Sequence, residues 1–315
     1  MSLSAPNFWQ QKSILSYLLI PFSWAYMLAG FIRKKLTKQT KLNIPIICVG
    51  NIVAGGAGKT PTAIALARLL QGKYKVAFIS KGYGGNNKSV LKVDSKKHPA
   101  ALTGDEPLLL AQHAPTYICP NRALAAQAAQ NNGAELIIMD DGMQNPSLHK
   151  DITIMVVDAN YGLGNGSVIP AGPLRQTVTS GINQADIILV IGNKLPSQLT
   201  DAKNKVIYAK PVIKFDKKLL NKKLLAFCGL GNPNKFFNSL KDDGLNIAKT
   251  IPYPDHYKYT EQDITKLNNF ITDGYTLITT TKDAVKLGNK LDYNIIELDL
   301  QIEGKIIGFV EKTLS

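Results

Sequence analysis

Cysteine is scarce in these 315 residues: Cys48, Cys119 and Cys228 stand roughly 70 and 110 positions apart. They form no paired motif, which argues against a disulfide scaffold and a thiolate metal site and fits a reducing cytoplasm. The four histidines, His98, His113, His149 and His256, show no HExxH or other ligand spacing. Any metal is therefore expected to arrive with a nucleotide, magnesium being the default, rather than in an all-protein cage. Acidic residues are also few, 23 against 37 basic ones, giving a formal charge of +14. That imbalance favours anionic partners: nucleotide phosphates, lipid head groups or nucleic acid. Zinc-ligand spacing, an aromatic RNA-binding signature and a basic recognition helix are all missing, which argues against nucleic acid. There is no internal repeat and no low-complexity linker.

What is present begins with an uncharged run of 20 residues, Ser13 to Ile32. It is just long enough to span a bilayer, but Pro21 in its middle would kink or restart a helix. Arg33, Lys34, Lys35, Lys38 and Lys41 follow at once, as expected of a cytoplasmic flank. Two half-helices lying in the membrane interface and a buried hairpin are the other readings. A cleaved signal peptide is disfavoured, because only Lys12 precedes the run and a nucleotide loop comes after it.

Beyond Lys41, short apolar runs alternate with helical stretches. Ile44–Val49, Lys75–Ile79, Leu136–Met139, Ile152–Val157 and Ile187–Ile191 read as strands covered on both faces. Pro61–Leu70, Pro107–Gln112 and the Ala-rich Arg122–Asn131 read as helices, so the arrangement is a doubly wound, mostly parallel α/β sheet. After about Asp216 a smaller α/β unit begins, with strands expected at Leu224–Cys228, Leu277–Thr280, Ile295–Leu298 and Ile306–Val310. The expected division is 1–40, a membrane-associated helical segment; 41–216, the main sheet; and 217–315, the smaller unit.

The Ile44–Val49 strand runs into Gly50, Asn51 and Ile52, then the loop Val53, Ala54, Gly55, Gly56, Ala57, Gly58, Lys59, Thr60, and then a helix from Pro61. This is the order of a P-loop. Glycines let backbone N–H groups converge on phosphates, Lys59 would reach the β and γ phosphates, and Thr60 would ligate magnesium. Val53 stands where the common pattern has its first glycine. The run Leu136–Met139 ends in Asp140 and Asp141, two carboxylates able to hold magnesium or its water shell.

Two similar-looking segments carry less. Gly192-Asn193-Lys194-Leu195-Pro196 resembles a guanine-reading loop but has Pro196 in place of its Asp, which favours ATP over GTP. Gly229-Leu230-Gly231-Asn232-Pro233 lacks the third glycine of a dinucleotide site and reads as a tight turn. A membrane-bound nucleotide switch would use the same loop, but its extra Lys is absent, since Ala54 precedes Gly55-Gly56.

With these residues in hand, the chain resembles the tetraacyldisaccharide 4′-kinase family, the lipid A 4′-kinases of Gram-negative bacteria, over nearly its whole length. The likeness is carried in order by Pro21-Phe22-Ser23, Val49-Gly50-Asn51 through Pro61, Gly82-Tyr83-Gly84-Gly85, Gly104-Asp105-Glu106-Pro107 and Asp140-Asp141-Gly142-Met143-Gln144. It continues through Gly164-Asn165-Gly166, Pro170 to Arg175, Gly231-Asn232-Pro233, Pro254-Asp255-His256-Tyr257 and Lys282 to Lys286. The resemblance implies transfer of the ATP γ-phosphate to the 4′ hydroxyl of a tetraacyldisaccharide 1-phosphate, giving lipid IVA, at the cytoplasmic face of the bacterial inner membrane. Its implied partners are that lipid A precursor and inner-membrane lipids, with no obligate protein partner. Asp105 aligns with the family's catalytic base and His256 with its paired histidine. Glu106, Asp140, Asp141 and Gln144 match positions near magnesium and nucleotide, and Arg122 and Arg175 suit clamps on phosphate oxygens. Lys81, Asn145, Gln176 and Thr281 depart from the family pattern, which expects Arg, His, Glu and Glu at those places.

Overall fold

The computed structural model describes residues 6–255, 257–288 and 290–314. A capping box opens the first helix. Ser13 receives the Ser16 N–H at 3.3 Å while the Ser13 N–H donates to the Ser16 hydroxyl at 2.8 Å, so α1 (Ile14–Leu18) starts with its end groups satisfied. The helix stops at Leu19, and α2 (Ile20–Leu36) restarts with Pro21 in its first turn, where the missing N–H costs no bond. The uncharged run is thus two helices. Among the described residues no helix is long and apolar enough to cross a membrane. Nor is the run a buried hairpin: Ile14, Leu18, Phe22, Trp24, Leu28 and Phe31 are all exposed.

The body follows as β1 (Ile46–Gly50), α3 (Lys59–Leu70), β2 (Val76–Ser80), β3 (Leu91–Lys92), α4 (Ala100–Thr103), α5 (Asp105–Ala111), β4 (Thr116–Ile118), α6 (Arg122–Asn131), β5 (Leu136–Asp140), β6 (Ile152–Asp158), α7 (Val178–Gln184), β7 (Ile187–Ile191) and β8 (Val206–Lys214). The rest is β9 (Leu224–Cys228), α8 (Pro233–Asp242), β10 (Ile247–Pro252), α9 (Glu261–Thr272), β11 (Thr276–Thr280), α10 (Thr281–Leu287), β12 (Asn294–Ile302) and α11 (Lys305–Leu314).

One sheet runs through the molecule in the order β10-β9-β11-β12-β8-β7-β6-β1-β5-β2-β4-β3. Neighbours are parallel except at β12–β8 and β3–β4. Strand β12 joins the halves: its start, Asn294 to Ile296, pairs with β11, while Glu297 to Ile302 pairs with β8. Strands β1, β2, β5, β7 and β9 are buried at every residue, as central strands covered by helices must be. Alternate side chains of β1 feed opposite layers. Ile46 and Cys48 pack with Met139 and the buried alanines of α6, while Ile47 and Val49 pack with Leu66 and Leu70 of α3. The second half repeats the scheme, with Leu224, Phe236 and Leu240 on one face and Leu225, Phe227 and Leu267 on the other.

The segment Ile306–Val310, expected as a strand, lies inside α11. Ile306 and Val310 are four apart, hence on one helical face, and both are fully buried in the layer that contains Leu70. Strand β8 escaped the sequence reading because Lys210, Pro211 and Lys214 interrupt its apolar pattern; its partner β12 is antiparallel and only half buried.

Candidate active site

The end of β1 is shaped by close packing. A Cβ at Gly50 would lie 2.6 Å from the Met143 Cβ, so only glycine lets the strand turn here beside the segment after β5. The first half of the loop is braced from outside. The Ala54 N–H donates to the Pro173 carbonyl and the Arg175 N–H to the Ile52 carbonyl, both at 2.7 Å. Val53 forms a bridge with Leu174 and is buried, which accounts for a branched apolar residue where the usual pattern has glycine. Gly58 has φ of 83° and precedes α3; a Cβ there would meet Ile191 at 2.4 Å. Gly55 and Gly56 remain exposed at the mouth of the loop, while Ala57 is buried beneath it. The Lys59 Nζ donates to the Gly55 carbonyl at 3.4 Å and lies 3.8 Å from Asp141. The Thr60 hydroxyl donates to Asp140 at 3.0 Å.

The two carboxylates at the end of β5 are treated oppositely by their surroundings. Asp140 is buried, and burial, with Glu106 and Asp141 nearby, pushes its acid up to about 7 against the pull of Lys59 and Thr60. Among the described residues its Oδ1 has no hydrogen-bond partner. Asp141, with φ of 50°, is also raised by burial, but Lys59 and Arg175 outweigh this and hold it below the usual carboxylate range. One Arg175 nitrogen donates to both Asp141 oxygens, at 2.9 and 3.1 Å, and Arg122 donates to the Asp141 carbonyl at 2.7 Å. Gln144 donates to the Asn51 carbonyl at 2.8 Å and accepts from Arg175 at 3.4 Å. Lys59, Arg122 and Arg175 thus gather around Asp141, a cationic cluster suited to a polyphosphate. Among the described residues no three His, Cys, Asp or Glu side chains are grouped as a metal cage.

Asp105 is the first residue of α5. Gly104 before it has φ of 85°, and a Cβ there would lie 2.1 Å from the Tyr83 carbonyl, so the Gly82–Gly85 turn and the head of α5 fit only through glycine. Asp105 is 8% exposed, and its Oδ2 lies 3.2 Å from Lys286 of α10, the helix that brings the second half of the chain onto α5. His256 lies outside the described residues. Beside it, Asp255 pairs with Lys282 at 2.9 Å. Lys286 and its neighbour Asp283 received no role from the sequence. The available signal was local: Thr280 with Asp283 three later is a helix-start pattern, and Lys286 falls one further turn on.

Of the positions that depart from the family pattern, Asn145 accepts from the Ser147 N–H and hydroxyl, and Gln176 bridges Gln144 and Gln184. The segment before Arg175 also receives the N-terminal helices. Trp9 donates to the Pro170 carbonyl at 3.1 Å and Ser23 to the Val168 carbonyl at 2.7 Å.

A mostly parallel sheet with a strand, glycine loop, Lys-Thr and helix beside a carboxylate strand end defines a P-loop phosphotransferase. The model of the family described as tetraacyldisaccharide-1-P 4′-kinase matches residues 15–315, and the chain belongs to that family. It is 42% identical over 300 residues to a tetraacyldisaccharide 4′-kinase of Parvibaculum lavamentivorans, covering 90% of this chain and 86% of the relative. With that of Rickettsia bellii it shares 39% over 307 residues, covering 96% and 95%. The crystal structure of an "apo" form of LpxK from Aquifex aeolicus, in complex with ATP, superposes with a TM-score of 0.77 at 26% identity, covering 96% of this chain and all of that one.

Proposed function

We propose that this chain transfers the γ-phosphate of ATP to the 4′ hydroxyl of a tetraacyldisaccharide 1-phosphate, forming lipid IVA, at the cytoplasmic face of the bacterial inner membrane. The observation that carries this reading is the tie between Thr60 and Asp140, which sets the P-loop beside a carboxylate strand end in a member of this family.

The loop amides from Gly55 to Thr60 and the Lys59 ammonium bind the β and γ phosphates, the cluster of Arg122 and Arg175 receives further phosphate charge, and Asp105 takes the proton of the acceptor hydroxyl. The acceptor oxygen bonds to the γ-phosphorus as the bond to the β-phosphate oxygen breaks, and ADP leaves. Magnesium fits beside Thr60 and Asp140, whose buried Oδ1 lacks a partner among the described residues, with Glu106 near enough to act on Asp140. When bound, it neutralises charge developing on the phosphates.

The membrane-facing part of the reading is supported by α1 and α2. Phe22 and Trp24 are more than 60% exposed, and Arg33, Lys34 and Lys35 close the last turn of α2. An apolar surface ending in cations suits an interface with anionic inner-membrane lipids. The whole reading is tested by incubating purified protein with γ-labelled ATP and tetraacyldisaccharide 1-phosphate in detergent. Label in the lipid is expected; ATP binding without labelled lipid would overturn it.

A further inference from the structure

A relay of buried contacts in the second half of the chain ends on Asp105. It starts at the glycine turn after β9, where the Gly229 N–H donates to Asp283 at 3.0 Å. The Thr280 hydroxyl donates to the same oxygen at 2.7 Å, and the Asp283 N–H returns to the Thr280 hydroxyl at 3.2 Å. Asp283 is fully buried and cannot swing away from these donors without stranding them. Its other oxygen, Oδ1, lies 3.7 Å from the Lys286 ammonium one helical turn on, and that ammonium lies 3.2 Å from Asp105 Oδ2.

The lysine side chain is only 7% exposed. Burying an ammonium is expensive unless counter-charges surround it, and here one carboxylate comes from each half of the molecule. Neutralising Lys286 would withdraw the cation that lies between these two buried carboxylates.

We propose that Lys286 is a positioning residue for phosphoryl transfer: anchored by Asp283, it holds the Asp105 carboxylate in the orientation that receives the acceptor proton, and does so only while α10 is seated on α5. This rests on the functional reading above. It also gives a role to the Gly229 turn and to the Lys282–Lys286 segment, neither of which the loop chemistry uses. A base displaced by about 1 Å costs on the order of 100-fold in rate.

The test is steady-state turnover of labelled ATP into lipid by the full chain, with the wild type, Lys286→Met, Lys286→Arg, Asp283→Asn, Asp105→Asn and the double variant Asp105→Asn/Lys286→Met. Lys286→Met is expected to lower kcat on the order of 100-fold with KM for ATP little changed. Lys286→Arg, which keeps the charge, recovers part of the loss, and Asp283→Asn moves kcat in the same direction as Lys286→Met. In the Asp105→Asn background Lys286→Met adds no further loss, because it acts through Asp105. Undiminished kcat in Lys286→Met, or losses that multiply in the double variant as a merely structural role predicts, would overturn the proposal. Should Lys286→Met fail to fold, unchanged kcat in both Lys286→Arg and Asp283→Asn overturns it equally. A wild-type chain that forms no labelled lipid overturns the functional reading and this proposal with it, whereas an active wild type with a fully active Lys286→Met overturns the positioning role alone.

Discussion

The Thr60 hydroxyl and the Asp140 carboxylate lie 3.0 Å apart, joined by a hydrogen bond that ties the first turn of α3 to the end of β5. Two segments 80 positions apart are thereby held in register by the protein itself. The arrangement leaves Asp140 Oδ1 buried and, among the described residues, unpartnered, an acceptor that a bound cation would satisfy.

Lys59→Met is expected to lower kcat by about 100- to 1,000-fold, the scale for removing one donor aimed at a transferring phosphoryl group. Melting is measured alongside, because the ammonium is only 13% exposed, lies 3.8 Å from Asp141 and helps hold that carboxylate below its usual range. Thr60→Val, of the same shape, strips Asp140 of its donor. It should cost about 1–2 kcal/mol in chemical denaturation and raise the magnesium concentration needed for half-maximal turnover.

Gly104→Ala should lose both stability and rate. The left-handed φ of 85° and the 2.1 Å approach to the Tyr83 carbonyl together force a backbone shift costing about 1–3 kcal/mol. Because Asp105 is the next residue, kcat should fall more than KM for ATP rises. A variant with normal kcat would show that the head of α5 tolerates displacement.

Trp24→Glu combined with Leu28→Glu should reduce binding to anionic phospholipid vesicles by about 100-fold, the expected loss for two buried apolar side chains. ATP affinity should be unaffected. Vesicle co-sedimentation measures the first and nucleotide titration the second; unchanged sedimentation would remove α2 from the membrane contact.

Asp299 joins α3 to the sheet through Arg68 at 2.8 Å and pairs with Lys214 of the neighbouring strand β8. Burial raises its acid, but the Lys214 bond, the Leu300 N–H and the Arg68 charge outweigh this and hold it below its ordinary value. A depressed folded-state acid contributes stability that is complete above the unfolded value near 3.9 and is lost as pH falls through the folded value. Asp299→Asn should therefore melt about 1–3 °C lower than wild type at pH 7. The difference should disappear in acid below the native titration; a gap that persists there would point to packing rather than charge.

The loop from Val53 to Thr60 and the carboxylates after Leu136–Met139 were legible because each is local, whereas the helix expected from Pro107 begins two residues earlier, at Asp105. The apolar run of a strand, the strand-loop-helix order and Pro61 in the first turn of a helix are decided by residues within a few positions of one another. Ile306–Val310 was misread for the complementary reason. Five mostly apolar residues satisfy strand and helix alike, and only the layer beside Leu70 selects the helical face that buries Ile306 and Val310. The β8–β12 pairing was invisible, since Lys210, Pro211 and Lys214 hide a strand whose antiparallel partner lies far along the chain.

By itself, then, the sequence determined the α/β class, the phosphate loop, the carboxylate strand end and the family. Tertiary structure alone decided which charges meet. Asp141 turns to Arg175 and Lys59 while its neighbour Asp140 turns to Thr60, and Lys286 reaches Asp105 across 181 positions of chain. Motifs record local backbone requirements, but the pairing of buried charges depends on how distant helices pack, and packing is a property of the whole folded chain.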